Sequence, residues 1–194
     1  RARDALNAER RKLPMVRVEK EYLFESKRGP VRLLDLFEGR QQLIIYNFMF
    51  QPGWDEGCDG CSFLIDNLGH LSHLHAANTT IAAVARAPLS QTEPFRQRMG
   101  WTVPWYSSYP SDFNIDFGVT ANDMDRQGVS VFLRLDNEVF HTYTTYARGG
   151  DILINTFNFL DLTPLGRQEG GEVMPWVRLH DQYEDSPTAS TAND

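Results

Sequence analysis

The chain holds two cysteines, Cys58 and Cys61, three residues apart. Random placement of two cysteines over this length gives that spacing roughly 1% of the time, so the pair reads as a motif. A disulfide framework would use more cysteines at wider spacing. That leaves dithiol redox chemistry or metal ligation. Thiol–disulfide exchange needs one accessible thiolate and a second thiol near enough to resolve the mixed disulfide. A Cys-x-x-Cys pair where a strand gives way to a helix supplies both. The first sulfur faces the positive end of the helix, which lowers its pKa, and the second sits one turn in. On this logic Cys58 attacks and Cys61 resolves. Asp55, Glu56 and Asp59 work against it, because neighbouring carboxylates oppose thiolate formation.

The flanking elements place the pair at such a junction. Leu43 to Phe50 is almost continuously apolar and reads as a strand buried on both faces, as in a parallel sheet. The polar loop Gln51 to Gly57 follows, and then the cysteines. Phe63, Leu64, Leu68, Leu71 and Leu74 recur at helical spacing, predicting one continuous helix from residue 62. Thr80 to Ala85 reads as a second parallel strand. Ser90 and Glu93 form a capping-box pattern for a helix ending near Gly100. Upstream, Val31 to Phe37 reads as a strand turned by Glu38-Gly39-Arg40. Downstream, Val103 to Ser107 reads as a short strand near a sheet edge because of Pro104. Val129 to Leu135 and Glu138 to Thr145 read as a hairpin, and Gly149 to Asp151 as the cap of a last helix, Ile152 to Leu160. Strand–helix alternation closed by a hairpin predicts an α/β fold with a central mixed β-sheet flanked by helices. An amphipathic helix is expected over 1–13, the main domain over 14–184 and a disordered tail over 185–194.

At 194 residues the chain suits one domain, and its 41% hydrophobic and 23% charged residues are ordinary for a globular protein. A net charge of −7 argues against nucleic acid or anionic membrane as partners. No stretch is apolar enough to span a bilayer or to form a signal-peptide core. The expected compartment is the cytoplasm, and the opening on Arg1 reads as a trimmed start.

Other residues could join the chemistry. Trp54 precedes Cys58 by four positions, Arg86 follows a strand end, and Pro104 and Trp105 belong to an aromatic stretch, so these four could wall a substrate pocket. Arg86 could stabilise a thiolate, although such an arginine more often serves a structural ion pair. His70, His73 and His75 would complete a Cys₂His₂ set, but a continuous helix carries them about two turns or more from the cysteines. No metal and no bound cofactor is expected, and the expected partner is an unidentified thiol or disulfide. A non-catalytic binding domain is the alternative from another class, and a metal-binding protein is the third reading.

The chain resembles a known family through many short motifs in order. Asp35-Leu36-Phe37, Gly39-Arg40, Gln42-Leu43, Tyr46 to Phe50 and Gly57 to Ser62 begin the signature. Ala85-Arg86-Ala87-Pro88, Arg98-Met99-Gly100-Trp101, Pro104-Trp105, Ser107-Ser108 and Asp112-Phe113-Asn114 continue it. His141-Thr142-Tyr143, Thr145 to Gly149 and Leu162 to Arg167 complete it. Together these resemble the bacterial thioredoxin-like family known as domain of unknown function 899. The resemblance implies a thioredoxin-like fold and a dithiol oxidoreductase activity, with no substrate. Asn47 stands where the family often has histidine, and the aromatic-Cys-Gly-Pro-Cys loop of ordinary thioredoxins is missing. No proline lies between Pro110 and Pro164, so the thioredoxin proline ahead of the hairpin is absent and Gly128-Val129-Ser130 leads in instead. Peroxiredoxins share this fold and place proline seven and threonine three residues before the reactive cysteine. Here those positions hold Gln51 and Asp55, which argues against their peroxidase mechanism.

Overall fold

A computed structural model describes residues 1–183, and the tail expected over 185–194 lies outside them. The chain opens with α1 (Ala2–Arg10), which buries none of its residues and meets the domain where Arg10 lies 4.9 Å over the Tyr143 ring. Strand β1 (Val16–Arg17) is followed by the hairpin β2 (Leu23–Ser26) and β3 (Gly29–Arg32). The expected strand over 31–37 is corrected: Leu33–Phe37 forms a 3-10 helix. Its buried residues Leu33, Leu36 and Phe37 are spaced three and four apart, a helical stripe that a short apolar run also allows.

The centre then assembles as the apolar runs predict. Strand β4 (Gln42–Phe48) leads through a loop to α2 (Asp59–Asp66) and α3 (Ser72–Ala76). Strand β5 (Thr79–Ala85), buried throughout, feeds α4 (Leu89–Arg98) and then β6 (Trp105–Ser107). After α5 (Phe113–Asp116) come the short pair β7 (Thr120–Ala121) and β8 (Met124–Asp125). The long hairpin β9 (Gly128–Leu135) and β10 (Glu138–Tyr146) turns at Asp136-Asn137. A 3-10 helix over Ala147–Leu153 precedes α6 (Asn155–Leu160), so Gly149 to Asp151 lie inside a helical turn rather than capping the last helix.

Eight strands form one mixed sheet in the order β1-β10-β9-β4-β5-β6-β2-β3. β4 and β5 pair in parallel, as do β5 and β6, while β9 lies antiparallel to β4. β6 is therefore not an edge strand, because β2 covers it through the pairing of Glu25 with Ser107. Strand alternation divides the apolar residues between two faces. Tyr46 and Phe48 point into a cluster with Cys61, Leu64, Phe95 and Trp105. Leu43 and Ile45 point into the other, with Leu36, Phe37, Phe113 and Phe132.

Two helix expectations change as well. The helix after the cysteines stops at Asp66, and His73 and His75 belong to the separate α3. The capping box at Ser90 does not form. Pro88 occupies the N-cap position, and Glu93 pairs with Arg96 and Lys27 instead.

Candidate active site

Cys58 sits at the N-cap position of α2 in extended backbone geometry, which places it at the positive end of the helix. Its amide N–H donates to Met49 O at 3.1 Å, tying the helix start to the chain just beyond β4. The Ser62 amide and hydroxyl both donate back to Cys58 O, at 2.9 and 3.0 Å. Gly57 precedes it because there is no room for a side chain: a Cβ there would lie 2.7 Å from Phe48 Cζ and 2.9 Å from Phe95 Cε1. Phe48 and Phe95 therefore set where Cys58 begins.

Both cysteines are free thiols; Cys58 is partly exposed and Cys61 fully buried. The Cys58 pKa is lowered to about 6. The leading cause is a hydrogen bond with the Cys61 side chain, joined by the backbone N–H groups of Cys61 and Gly60. Burial and the Asp59 charge push the other way and lose. The loop carboxylates are thus outweighed at the sulfur, and Glu56 is drawn aside by its ion pair with Arg98. Cys61 moves in the opposite direction. Burial first, and then Cys58, raise its thiol well above the usual range, while Tyr46 and the Met49 N–H pull it down. The Met49 amide donates to Cys61 Sγ at 3.4 Å. An accessible low-pKa thiol backed by a buried high-pKa thiol is the division of labour that disulfide exchange requires.

The surrounding shell comes from distant parts of the chain. Gln91 on α4 donates to Gln51 O and Trp54 O at 3.2 and 2.6 Å and accepts from the Gly53 amide at 3.1 Å. One side chain thereby pins the loop that leads to Cys58. Arg98 joins Glu56 to Asp181, which fastens the C-terminal segment beside the same loop. Within that segment Met174 comes close: a methyl group on Gly60 would lie 3.6 Å from Met174 Sδ and 3.9 Å from Cys58 Sγ. Neither Gln91 nor Met174 carried a sequence signal. Tyr46 did, because β4 alternation puts it on the same face as Phe48.

Of the four expected pocket residues, Trp54 packs against and Trp105 belongs to the cluster that contains Cys61, while Arg86 and Pro104 line separate cavities. Trp54 is half-buried and packs against the cluster that contains Cys61. Arg86 forms ion pairs with Asp123 and the buried Asp125 at 2.8 and 2.9 Å, and lines a cavity of about 340 Å³ with Pro52, Tyr109 and Asn114. Trp105 is a core residue, stacked on Trp101 at 5.7 Å and bonded through Nε1 to Thr92 Oγ1. Pro104 and Trp105 border a different cavity, of about 670 Å³, beside Lys27 and Arg28. Neither cavity is lined by a cysteine. Asn47 belongs to the opposite sheet face from Cys61. Its amide donates to Gly128 O and Ser130 Oγ, both at 3.3 Å, and it touches neither thiol. Among the described residues no three His, Cys, Asp or Glu side chains are grouped to hold a metal ion, so the three histidines do not gather with the cysteines. Among the same residues no helix is long and apolar enough to cross a membrane.

Comparison with known proteins agrees with this architecture. The family model described as "Bacterial protein of unknown function (DUF899)" matches residues 1–183. No curated protein matches the sequence. Among solved structures, the chain is similar to peroxidoxin BcpB from Mycobacterium tuberculosis, with a TM-score of 0.55 at 14% identity over 76% of this chain and 97% of that one. It is also similar to a mutant of PrxQ from Xylella fastidiosa, with a TM-score of 0.50 at 12% identity over 76% of this chain and 94% of that one. At such identities the likeness extends to the thioredoxin-like fold and no further.

Proposed function

The chain belongs to the bacterial family of unknown function DUF899, which supplies a fold and no reaction, and we propose from the site itself that it is a thiol–disulfide oxidoreductase. Cys58 is the attacking thiol and Cys61 the resolving one. One observation carries the reading: the only two cysteines stand at the mouth of α2 with opposite pKa shifts, the accessible one lowered to about 6 and the buried one raised. A cysteine kept for packing alone has no need of a thiolate held by two backbone N–H groups and a neighbouring thiol. The partner is a thiol or disulfide compound or protein. A reducing compartment such as the cytoplasm suits a pair that works from the dithiol state.

The site favours exchange over a peroxiredoxin reaction despite the shared fold. Asp55 stands three residues before Cys58 and is exposed, so no hydroxyl at that position can orient a peroxide. The test is reduction of a model disulfide by wild-type protein and by Cys58→Ser, with dithiothreitol as the terminal reductant. Wild type should turn over and Cys58→Ser should not. Equal rates for the two would end the proposal.

A further inference from the structure

Backbone strain marks the segment beside the first turn of α2. Met174 has φ +56°, a left-handed conformation that residues other than glycine rarely adopt, and Gln168, Gly170 and Gly171 share that region. Such a conformation persists only where its surroundings hold it, and it gathers at sites of function. The Met174 amide donates to Glu169 Oε1 at 3.4 Å, and its carbonyl accepts from the Val177 amide at 3.1 Å. Trp176 donates through Nε1 to Arg167 O at 2.8 Å and sets its ring edge-on to Phe63 of α2 at 5.6 Å. The half-buried Met174 side chain packs against the cluster that contains Cys61. These contacts hold a thioether against Gly60. A Cβ added there would lie 3.6 Å from Met174 Sδ and 3.9 Å from Cys58 Sγ. Among the described residues, no other atom outside the helix backbone and the two chain neighbours comes within 4 Å of that point. The bare face of Gly60 is thus walled by two sulfurs, one reactive and one inert.

We propose that Gly60 and Met174 form the subsite for the substrate sulfur and select disulfides whose sulfur is carried by an unbranched methylene. The inference rests on the thiol–disulfide reading above and adds a class of substrate to it. A disulfide attacked by Cys58 must bring its near sulfur within about 3–3.5 Å of Cys58 Sγ, with its own S–S bond in line. Approach over Gly60 permits this because no side chain occupies that face. The carbon next to the near sulfur then lies along Met174, where a methylene fits and a fully substituted carbon collides. A thioether suits a methylene–sulfur arm, being apolar and polarizable. The Cys58 thiolate attacks the near sulfur, so the Cys58–substrate bond forms and the substrate's S–S bond breaks. The far half leaves with the electron pair and takes a proton from solvent. Cys61, its proton lost to solvent, then attacks Cys58 Sγ and releases the near half as a second thiol. The dithiol is oxidised and the substrate reduced by two electrons. Disulfides of cysteine, free or in peptides, belong to this class.

Cystine and penicillamine disulfide make the test, because they carry the same charges and differ in the carbon beside sulfur. It is a methylene in the first and bears two methyl groups in the second. Loss of protein thiols after mixing prereduced protein with each is followed by intact mass, with dithiothreitol as the reference for each disulfide's own reactivity. Relative to dithiothreitol, wild type should prefer cystine by about 10-fold. Met174→Ala should abolish most of that preference. Met174→Gly, which suits the left-handed backbone, should do the same without strain. Gly60→Ala should slow reaction with cystine by about 5- to 100-fold and sharpen the preference. Its melting temperature should not fall, because Gly60 is helical, is not left-handed, and the added methyl makes only ordinary contacts. A preference no greater than that of dithiothreitol, or one that survives both Met174 variants, overturns the subsite while leaving the dithiol reading intact. An unchanged cystine rate in Gly60→Ala, or a slower one with a lowered melting temperature, overturns it too. Wild-type protein that keeps both thiols in cystine overturns both readings.

Discussion

Replacing Cys61 with alanine tests whether the neighbouring thiol is the main source of Cys58 acidity. The Cys61 hydrogen bond is the largest contribution to the lowered Cys58 pKa, while two backbone N–H groups remain in the variant. A hydrogen bond to a charged group is worth about 1.5–3 kcal/mol, which corresponds to roughly one to two pKa units. The Cys58 midpoint should therefore rise from about 6 to roughly 7–8 in Cys61→Ala. At pH 6 the thiolate fraction would drop from about one half to between about 1 and 10%.

The rate does not follow that fraction alone. Nucleophilicity rises with thiolate basicity with a slope of about 0.4–0.5, so iodoacetamide alkylation at pH 6 should slow only about 2- to 6-fold. Above pH 9, where both proteins are ionised, the variant should react faster, by roughly 3- to 10-fold. The two pH–rate curves must cross, and the crossing is what the assay looks for. Rates of alkylation followed by intact mass from pH 4 to 10 would show it. Curves that superimpose would refute the assignment to Cys61. A wild-type midpoint near the ordinary thiol value of about 8.5 would refute the low-pKa thiolate itself.

Two further perturbations probe the scaffold. Gly57→Ala should force the Phe48 and Phe95 rings aside, lower stability by about 1–3 kcal/mol in urea unfolding and move the Cys58 alkylation midpoint; a neutral result would contradict the close approach. Glu93 has its carboxyl lowered from 4.5 to about 2, chiefly by Arg96, with Lys27 and Gln97 assisting. A depressed carboxyl adds stability that is present above its unfolded pKa and is lost as pH falls through the folded one. Wild type should thus lose stability between pH 4.5 and about 2, and Glu93→Gln should be weaker at pH 7 yet flatter across that window in acid-denaturation curves.

The dithiol was legible because its signal is local. Two cysteines three apart, an apolar run before them and a helical pattern after them all lie within about thirty residues of chain. The parallel pairing of β4 with β5 and the hairpin of β9 with β10 were equally readable, since unbroken apolar runs and an Asp-Asn turn declare themselves by period and composition. Other features lay beyond local pattern. The run from Leu33 to Phe37 is too short for its period to distinguish a strand from a tight helix, and packing against Leu43 and Ile45 decided it. β2 could not be placed, because its role is to cover β6 across more than eighty residues of sequence. The aromatic stretch around Trp105 looks the same in sequence whether it lines a pocket or fills a core.

At the site, sequence alone determined which atoms could react, and tertiary structure decided how acidic each one is. Spacing cannot say that Cys61 is sealed in the core while Cys58 stays accessible, nor that the Met49 amide meets the buried sulfur. That contact joins residues 12 positions apart across a loop and a helix start. The pKa of a thiol depends on the dielectric and the donors around it, and these exist only once the helix has docked on the sheet.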